Sequence, residues 1–407
     1  MNRIGKVGGK RILLLQGPMG PFFKRLDAIL RRHGARTYRI GFNAGDRLFS
    51  YRDNYTPFRG KEEEWRDFLR VFLRDHRIEM IFLFGDCRFY QAVAIEECRR
   101  LGIEVFAFEE GYVRPHYVTM ERWGVNDFSR LPREAAFYRA LPQRETPPAL
   151  HARQSKLKMI VSATLYYLSA NLFHWRYPHY RHHREMSALK EAFYGVRGAW
   201  RKLIYPFLYE REMEQRLSAE WSGGYFFVPL QTHTDFQILT HSDFQSIEKF
   251  IITVLESFAG AADAEDRIVF KHHPVDRGRK DYRKFIMEQA KILGIEERVV
   301  VLYDTFLPTC LKHAKGTVTV NSTVGLTSIG YGTPTITLGR AVYDIDGLTN
   351  KGKTLEEFWS DPQRPDEKLY RKFLTYIIEN TQLNGSFYGR FPVEFVTGEI
   401  FGKREED

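Results

Sequence analysis

Cysteine is scarce in this sequence, and long uncharged apolar runs are absent. The three cysteines among 407 residues, Cys87, Cys98 and Cys310, lack the paired spacing of a disulfide framework or a zinc site. No run reaches the roughly 18–20 apolar residues that a membrane-spanning helix needs. The apolar run Ile12 to Leu15 is too short for the core of a signal peptide. These absences favour a chain with reduced thiols that works in the cytosol.

Signatures of cofactor and metal binding are also scarce. The chain lacks the G-x-G-x-x-G fingerprint of dinucleotide-binding loops. Asp344-Ile345-Asp346 matches the letters of a D-x-D metal site, but it is not a loop of the kind that holds a metal-bound nucleotide diphosphate. We therefore expect no cofactor and no metal requirement, and keep a metal at this pair as the weaker alternative.

Positive charge and aromatic side chains, in contrast, are abundant. Lys and Arg number 61 against 51 Asp and Glu, which gives a formal net charge of +10, and aromatic residues make up 15% of the chain. A basic balance attracts nucleic acid, anionic lipid and anionic substrates alike. With 43% hydrophobic residues and this length, two domains of about 150–200 residues are expected.

Short apolar runs alternate with stretches of helical length on both sides of a basic segment. This alternation predicts parallel, doubly wound sheets, so we predict an α/β, GT-B-like fold with two Rossmann-like domains and an interdomain cleft. Gly17, in the turn after the first predicted strand, is expected to line this cleft. The predicted boundaries are 1–150 for the N-terminal domain, 151–215 for a basic, aromatic helical insertion, 216–352 for the C-terminal domain, and 353–407 for a helical tail that packs back on the first domain.

Acidic side chains follow two of the predicted strands. Glu109 and Glu110 end the run 103–111, with Arg114 nearby, and either carboxyl could act as an acid or base with a tuned pKa. Gln231 and Asp235 follow the strand YFFVPL, where a carboxylate could serve as a nucleophile or stabilise an oxocarbenium ion. The alternatives are a solvated strand end for the first motif and an N-capping Asp for the second.

Basic and small hydroxyl residues follow two further strands. Lys271, His273 and Pro274 end the run RIVFKHHP, where an imidazole and an ammonium suit a phosphate or carboxylate. A surface basic loop is the alternative. After the strand GTVTV, a helix N-terminus with free N–H groups is expected to bind phosphate, although an ordinary capped helix has the same pattern. Its residues are Asn321, Ser322, Thr323 and Gly325.

Taken together, the four motifs resemble those of the capsule polysaccharide synthesis family, in its KpsS-type retaining β-Kdo glycosyltransferases. The matching stretches are FLFGDCRFYQAVAIEECRRLGIEVFAFEEGYVRPHYVTME, VPLQTHTDFQ, KHHP and VNSTVGLTSIGYGTPTITLGRAVYDIDGLT. The resemblance implies transfer of Kdo from CMP-Kdo, with retention of configuration, to a phosphatidylglycerol-type lipid. This step initiates the poly-Kdo linker of a capsular polysaccharide glycolipid. A companion Kdo-extending transferase and a capsule export complex are the implied partners.

The resemblance also implies roles for individual residues. Gln231 and Asp235 fit the Gln-x-x-x-Asp pattern, which makes Asp235 the nucleophile, and Ser322 fits the contact to the cytidylate phosphate. His273 and Pro274 fit the His-Pro motif, with Lys271 alongside, in the CMP-sugar-binding C-terminal domain. The N-terminal domain would then take the acceptor. Family members usually read Glu-Asp-Gly where this chain reads Glu-Glu-Gly, so the acid/base role stays open between Glu109 and Glu110.

The segment between the two predicted domains is unusually basic and aromatic. Residues 151–209 contain ten Lys or Arg against two acids, and Met159 to Trp175 contains no charged residue. This pattern predicts an interfacial helix on anionic lipid, and so a cytoplasmic protein that is peripheral on the inner face of the inner membrane. A helical insertion packed on the first domain is the alternative. The residues expected at the lipid are Lys156, Lys158, Trp175, Arg176 and Arg181.

Other functions fit the sequence less well. Nucleic-acid binding would use the same basic stretch but leave all four motifs without a purpose, so we expect no nucleic-acid partner. A non-catalytic scaffold for capsule assembly or export is the alternative from another class. A GT-B transferase with a different CMP- or CDP-activated donor is the third possibility.

Overall fold

A computed structural model describes residues 4–180, 188–233, 238 and 241–401. The chain divides into two compact units. The first contains Met1–Arg130, Thr146–Ala188 and Thr375–Asp407, and the second contains Leu131–Glu145 and Leu189–Leu374. Each unit is built on its own β-sheet, so the two are described separately.

Helices and strands alternate through most of the described chain. The strands are β1 (Arg11–Leu15), β2 (Arg36–Gly41), β3 (Tyr55–Pro57), β4 (Met80–Phe84), β5 (Glu104–Glu110), β6 (Tyr117–Arg122), β7 (Tyr225–Pro229), β8 (Arg267–Lys271), β9 (Val299–Leu302), β10 (Gly316–Thr319), β11 (Thr335–Thr337) and β12 (Gln382–Asn384). The helices are α1 (Phe22–Arg32), α2 (Ala44–Leu48), α3 (Trp65–Asp75), α4 (Phe89–Leu101), α5 (Ala135–Ala140), α6 (Lys156–Leu172), α7 (Ala188–Tyr209), α8 (Met213–Ser218), α9 (Ile247–Ala261), α10 (Arg283–Ile292), α11 (Leu307–Lys312), α12 (Thr323–Gly330), α13 (Leu355–Ser360), α14 (Glu367–Thr381) and α15 (Val393–Thr397).

The first unit has a seven-stranded sheet in the order β12-β6-β5-β4-β1-β2-β3. β1 pairs in parallel with β2 and β4, and β4 pairs in parallel with β5. β6 and β12 extend one edge in antiparallel pairings. The chain runs from β1 outward to β3 and then resumes on the other side of β1 at β4. This reversal is the topological switch point of a Rossmann-like sheet, the place where such folds bind ligands.

Both faces of this sheet are covered, which explains the unbroken apolar run of β1. Leu13 and Leu15 join one buried cluster, whereas Ile12 and Leu14 join another. Alternate side chains of a strand point to opposite faces, and a parallel sheet with helices on both faces needs apolar residues at every position.

The second unit has a five-stranded parallel sheet in the order β11-β10-β7-β8-β9. Here the chain runs from β7 to β9 and returns on the other side of β7 at β10, so the switch point lies between β7 and β10. Phe226 and Val228 pack into one buried cluster, and Tyr225 and Phe227 into another. The sheet is therefore also covered on both faces.

Glu97 fastens α4 to α3 in the first unit. Its carboxylate is almost fully buried and pairs with Arg66 at 2.6 Å, Arg70 at 3.0 Å and Arg100 at 3.2 Å. Burial opposes ionisation of this carboxyl, but hydrogen bonds from Arg70 and Arg66 outweigh it and hold its pKa below the ordinary value.

The predicted α/β fold with two Rossmann-like sheets is confirmed, with differences in detail. β6 and β12 are antiparallel additions that the alternation of strands and helices did not predict. The described part of the predicted helical tail contains three helices, α13, α14 and α15, and the strand β12, and a segment with Pro362 and Pro365 separates α13 from α14. The compact units also place 131–145 with the second sheet and 375–407 with the first, whereas the sequence predicts boundaries at 150 and 353.

Candidate functional site

The carboxyl end of β5 holds the paired glutamates of the first unit. Glu109 is half-buried, and its Oε1 accepts a hydrogen bond from the backbone N–H of Glu110 at 3.0 Å. Burial raises the pKa of Glu109 to about 7, while Arg88 acts in the opposite direction and Glu110 and Asp86 add to the increase. A carboxyl with this pKa can both hold and release a proton near neutral pH.

Glu110 has a different environment from its neighbour. Its Oε2 accepts a hydrogen bond from Nε2 of Gln154 at 2.8 Å. Burial raises the pKa of this carboxyl as well, and the charge of Arg114 opposes the increase. Arg114 is exposed, and its Nε donates to the carbonyl oxygen of Gly111 at 3.3 Å. The structure thus brings Arg114 near Glu110. The hydrogen bond described for the Glu109 side chain involves its Oε1.

Gly17 follows β1 at the switch point of the first sheet. A Cβ at this position would lie 2.6 Å from the ring of Phe23, so only glycine fits. The neighbouring Gln16 donates to Oδ2 of Asp46 at 3.3 Å and to the hydroxyl of Tyr180 at 3.0 Å. Asp46 also accepts from the hydroxyl of Tyr166, on α6, at 2.9 Å. Sequence analysis missed this buried polar network, because its members come from distant positions in the chain.

The switch point of the second sheet is bridged by two amide side chains. Gln231 follows β7 and is buried, and its Nε2 donates to Oδ1 of Asn321, after β10, at 3.1 Å. The backbone N–H of Asn321 donates back to Oε1 of Gln231 at 3.4 Å. Two residues that the sequence placed in separate motifs therefore meet where a doubly wound sheet binds its ligand.

Ser322, Thr323 and Gly325 form the start of α12, as expected both for a phosphate site and for an ordinary capped helix, so their phosphate-binding role stays a prediction. The Ser322 hydroxyl accepts from the backbone N–H of Val324 at 3.2 Å, which makes Ser322 the N-cap. A Cβ at Gly325 would lie 2.2 Å from the hydroxyl of Tyr343, so this glycine admits a tyrosine against the helix. The backbone N–H groups of Val324 and Gly325 both bind Ser322, so what the helix offers an anion is the positive end of its dipole.

Lys271, His273 and Pro274 occupy unequal positions after β8. Lys271 is buried and donates from Nζ to the carbonyl oxygen of Tyr303 at 2.6 Å, and burial lowers its pKa. His273 is half-buried, and Pro274 is exposed. The intervening His272 is buried against the ring of Tyr303, and burial lowers its pKa to about 4. The donor-binding role of these residues stays a prediction.

A second carboxylate–imidazole pair lies beside this motif. Asp276 is almost fully buried, and it accepts from the backbone N–H of His233 at 2.8 Å and pairs with its Nδ1 at 2.7 Å. The pair fixes a ring nitrogen and the backbone of His233, two residues after Gln231. Sequence analysis missed it because the partners are 43 positions apart. The predicted nucleophile Asp235 lies outside the described residues.

The family model described as "Capsule polysaccharide biosynthesis protein" matches residues 79–388. The chain belongs to this family. The match includes all four motifs and leaves Gly17 outside. It confirms the family resemblance that the motifs indicated.

The relatives of this family member cover nearly its whole length. It is 39% identical to "Capsule polysaccharide export protein KpsS" of Escherichia coli, over 94% of this chain and 98% of that protein. It is 37% identical to "Capsule polysaccharide modification protein LipB" of Neisseria meningitidis serogroup B, over 94% of this chain and 92% of that protein. A similar solved structure is "Thermosulfurimonas dismutans KpsC, beta Kdo 2,7 transferase", at 13% identity and a TM-score of 0.44, covering 96% of this chain and 98% of that chain.

Two sequence matches, one to a phosphate-binding loop and one to a D-x-D metal site, consist of residues that have other roles in the structure. Residues 347–354 read GLTNKGKT, which matches the G-x-x-x-x-G-K-T spacing of a phosphate-binding loop. No regular strand leads into them. Lys353 binds Asp361 at 2.9 Å, and Thr354 caps the six-residue α13. Asp344 of the D-x-D pair accepts from the hydroxyl of Thr349 at 2.6 Å. The expectation that no metal is required stays a prediction.

The residues predicted at a lipid surface lie on and after α6, in the first unit. Lys156 and Lys158 are exposed in the first turn of this helix. Trp175 is exposed, and the guanidinium of Arg176 lies 4.9 Å from its ring centroid. Arg181 lies outside the described residues. Among the helices that the structure describes, none is long and apolar enough to cross a membrane.

Proposed function

We propose that this family member is a retaining glycosyltransferase that moves Kdo from CMP-Kdo to a phosphatidylglycerol-type lipid. The product would be the first unit of the poly-Kdo linker of a capsular polysaccharide glycolipid. Two Rossmann-like sheets and the motifs at their carboxyl ends support this proposal. The match to residues 79–388 establishes membership of the capsule polysaccharide biosynthesis family, and the proposal adds a specific reaction to it.

The observation that carries the proposal is the position of Glu109, a half-buried carboxyl at the carboxyl end of β5 with a raised pKa. A transferase must remove the proton of the acceptor hydroxyl, and a base is most effective when its pKa lies near the working pH. Burial raises the pKa of Glu109 to about 7. The carboxylate of Glu110 is hydrogen-bonded to Gln154. We therefore assign the acid/base role to Glu109 and a positioning role to Glu110.

Retention of configuration requires two displacements at the anomeric carbon. In the first, the carboxylate of Asp235 forms a bond to this carbon, and CMP departs with the electrons of the broken carbon–oxygen bond. In the second, the lipid hydroxyl attacks the same carbon and displaces the Asp235 carboxylate. Glu109 takes the proton of that hydroxyl. The Kdo carboxylate and Asp235 repel each other, so nearby cationic and N–H groups must lower the barrier.

The start of α12 is suited to the phosphate of CMP. The positive end of a helix dipole favours a negative charge, and Ser322 provides a hydroxyl at the same point. The bridge between Gln231 and Asn321 fixes the neighbouring loops of β7 and β10. A departing phosphate would thus find dipoles already oriented toward it, without a cofactor.

A lipid acceptor places the enzyme at a membrane surface. The exposed Lys156, Lys158, Trp175 and Arg176 are suited to an anionic leaflet, because cations bind its headgroups and Trp favours the interfacial region. The location that follows is the cytoplasmic face of the inner membrane. A companion Kdo-extending transferase and a capsule export complex would take over the product.

A transfer assay tests the proposal. Purified protein is incubated with CMP-Kdo and a short-chain phosphatidylglycerol, and the lipid product is sought by mass spectrometry. We expect a lipid heavier by one Kdo residue, and at least about a hundredfold slower formation by E109Q. E104Q is the matched control, since Glu104 lies at the opposite end of β5 and pairs with Arg122 at 2.9 Å. Equal rates for the two variants would refute the role of Glu109.

One alternative has support from a relative's name. The Escherichia coli relative is called an export protein, which fits a non-catalytic component of capsule assembly. That function predicts no product from any CMP- or CDP-activated sugar, and capsule formation that survives Asp235→Ala. A different activated donor predicts product with another sugar and none with CMP-Kdo. The same assay, run with a panel of donors, separates these outcomes.

A further inference from the structure

Helix α7 exposes a continuous apolar stripe. The five side chains of the stripe recur at intervals of three and four residues, so they lie along one face of the helix. Three of them are exposed to 72% or more: Val196 at 72%, Leu203 at 77% and Phe207 at 73%. The stripe consists of Phe193, Val196, Trp200, Leu203 and Phe207.

The opposite face of α7 is polar and is the one that packs on the protein. Arg197 donates to the carbonyl oxygens of Gly278 and Arg279, and Arg201 donates to that of Arg277 at 2.8 Å. The hydroxyl of Tyr205 donates to Asp281 at 3.1 Å. A helix on a water-soluble surface normally buries its apolar face. This helix has the reverse arrangement, so its apolar stripe needs a partner other than water.

The charges around the stripe are almost all positive. Between 190 and 209 the helix carries Lys190, Arg197, Arg201 and Lys202, against the single acid Glu191. Glu191 pairs with Arg279 at 2.5 Å. On the flank of the stripe, the guanidinium of Arg197 lies 5.2 Å from the ring centroid of Phe193. A partner that covers this face would therefore meet apolar side chains with a cation at their border.

We propose that the apolar stripe of α7 inserts into an anionic lipid leaflet. Aromatic and aliphatic side chains with Lys and Arg at their border are the composition of helices that lie in a membrane interface. The inference deepens the proposed function, on which it rests for the choice of an anionic lipid. It assigns to the second unit its own membrane contact, through residues that take no part in the proposed chemistry.

A second copy of this chain is the main competing partner. The 3–4 spacing of the stripe also occurs in helix pairs, where acidic and basic residues alternate beside the apolar seam. The exposed border of this stripe offers a cation and small residues, with no exposed acid in α7 to pair across a twofold axis. Two such helices would bring like charges together, whereas anionic headgroups neutralise them.

Vesicle flotation tests the proposal. The full chain is mixed with vesicles of phosphatidylcholine containing either no or about a third phosphatidylglycerol, and the bound fraction is measured after centrifugation. We expect binding to the anionic vesicles, and at least a tenfold weaker partition for L203E/F207E. I292E is the matched control, because Ile292 is an isolated side chain exposed to 75% in the same unit. This variant should float like the unmodified protein.

Two further measurements keep the result decisive. Circular dichroism and analytical ultracentrifugation, both without lipid, report folding and the oligomeric state. Equal flotation of L203E/F207E and I292E would overturn the proposal. A dimer of the unmodified protein that becomes a monomer in L203E/F207E would also overturn it. Transfer of Kdo to a short-chain, water-soluble acceptor should be the same for both variants. Loss of flotation by L203E/F207E with that transfer intact supports insertion of the stripe into the leaflet. Failure of transfer by the unmodified protein counts against the proposed function alone.

Discussion

Replacing Glu109 by Gln should remove activity and yet stabilise the protein at alkaline pH. The substitution keeps the size and one hydrogen-bond acceptor of the side chain but cannot ionise. In the folded chain burial raises the pKa of Glu109 from an ordinary value of 4.5 to about 7. Between these two values the folded state holds a proton that the unfolded state has released. Stability therefore falls as the pH rises through this window.

The magnitude follows from the size of the pKa shift. A shift from 4.5 to about 7 corresponds to at most about 3 kcal/mol above pH 7, and solvent at this half-buried carboxyl reduces it to about 1–2 kcal/mol. The free energy of unfolding of E109Q, measured in urea at pH 8, should exceed that of the unmodified protein by this amount. The two should be equal well below pH 4.5, where Glu109 is protonated in both states. E104Q serves as the control.

The activity of the unmodified protein should follow the same ionisation. A base must be ionised, and about a tenth of Glu109 is ionised at pH 6 against about nine-tenths at pH 8. The rate of transfer should therefore rise about tenfold between these values. In E109Q the second displacement lacks its base, so the Kdo adduct should accumulate. A flat pH profile together with unchanged unfolding free energies would refute the reasoning.

Three further substitutions probe the other contacts. D276N should slow transfer about tenfold or more, because His233 loses the carboxylate that holds its ring and backbone; rescue by D276E would show that the charge is what matters. Q231A should raise KM for CMP-Kdo several-fold with little change in kcat, measured from initial rates, because the bridge between the loops after β7 and β10 is broken. E97Q should lower the unfolding free energy by about 1–3 kcal/mol, measured in urea at pH 7, and leave kcat unchanged.

For each of these three substitutions, one result would contradict the prediction. D263N is the control for D276N, since Asp263 is an exposed acid in the same unit; equal rates for the two would exclude a role for the Asp276 pair. A loss of kcat in Q231A at unchanged KM would place this residue in the chemical step. The pKa of Glu97 is lowered, so its stabilisation is present above 4.5 and lost as the pH falls through the folded value. A difference that persists in acid would contradict the ion-pair account.

Regular elements with strong apolar runs followed from the sequence. The apolar run Ile12 to Leu15 lies in β1, the first predicted strand, because strands buried on both faces require apolar residues throughout. β6 and β12 were missed. β12 has only three residues, and its pairing with β6 joins positions more than 250 residues apart. Local pattern carries no information about such pairing.

The site was predicted as separate motifs, and the structure adds the contacts within each unit. Gln231 and Asn321 meet because β7 and β10 are neighbours at the switch point, which strand order decides. The burial of Lys271 and the pair of Asp276 with His233 depend on packing around β8 that spacing does not reveal. The distinction between Glu109 and Glu110 depends on Gln154, which follows β5 by more than forty residues.

The most direct test of the account is a search for the sugar on Asp235. E109Q is incubated with CMP-Kdo, quenched in acid and digested, and its peptides are sequenced by mass spectrometry. The account predicts a mass increase of one Kdo residue on the peptide with Asp235, located to that side chain and absent from the double variant D235N/E109Q. Lipid product made by a D235N protein, or an adduct on any other residue, would contradict it.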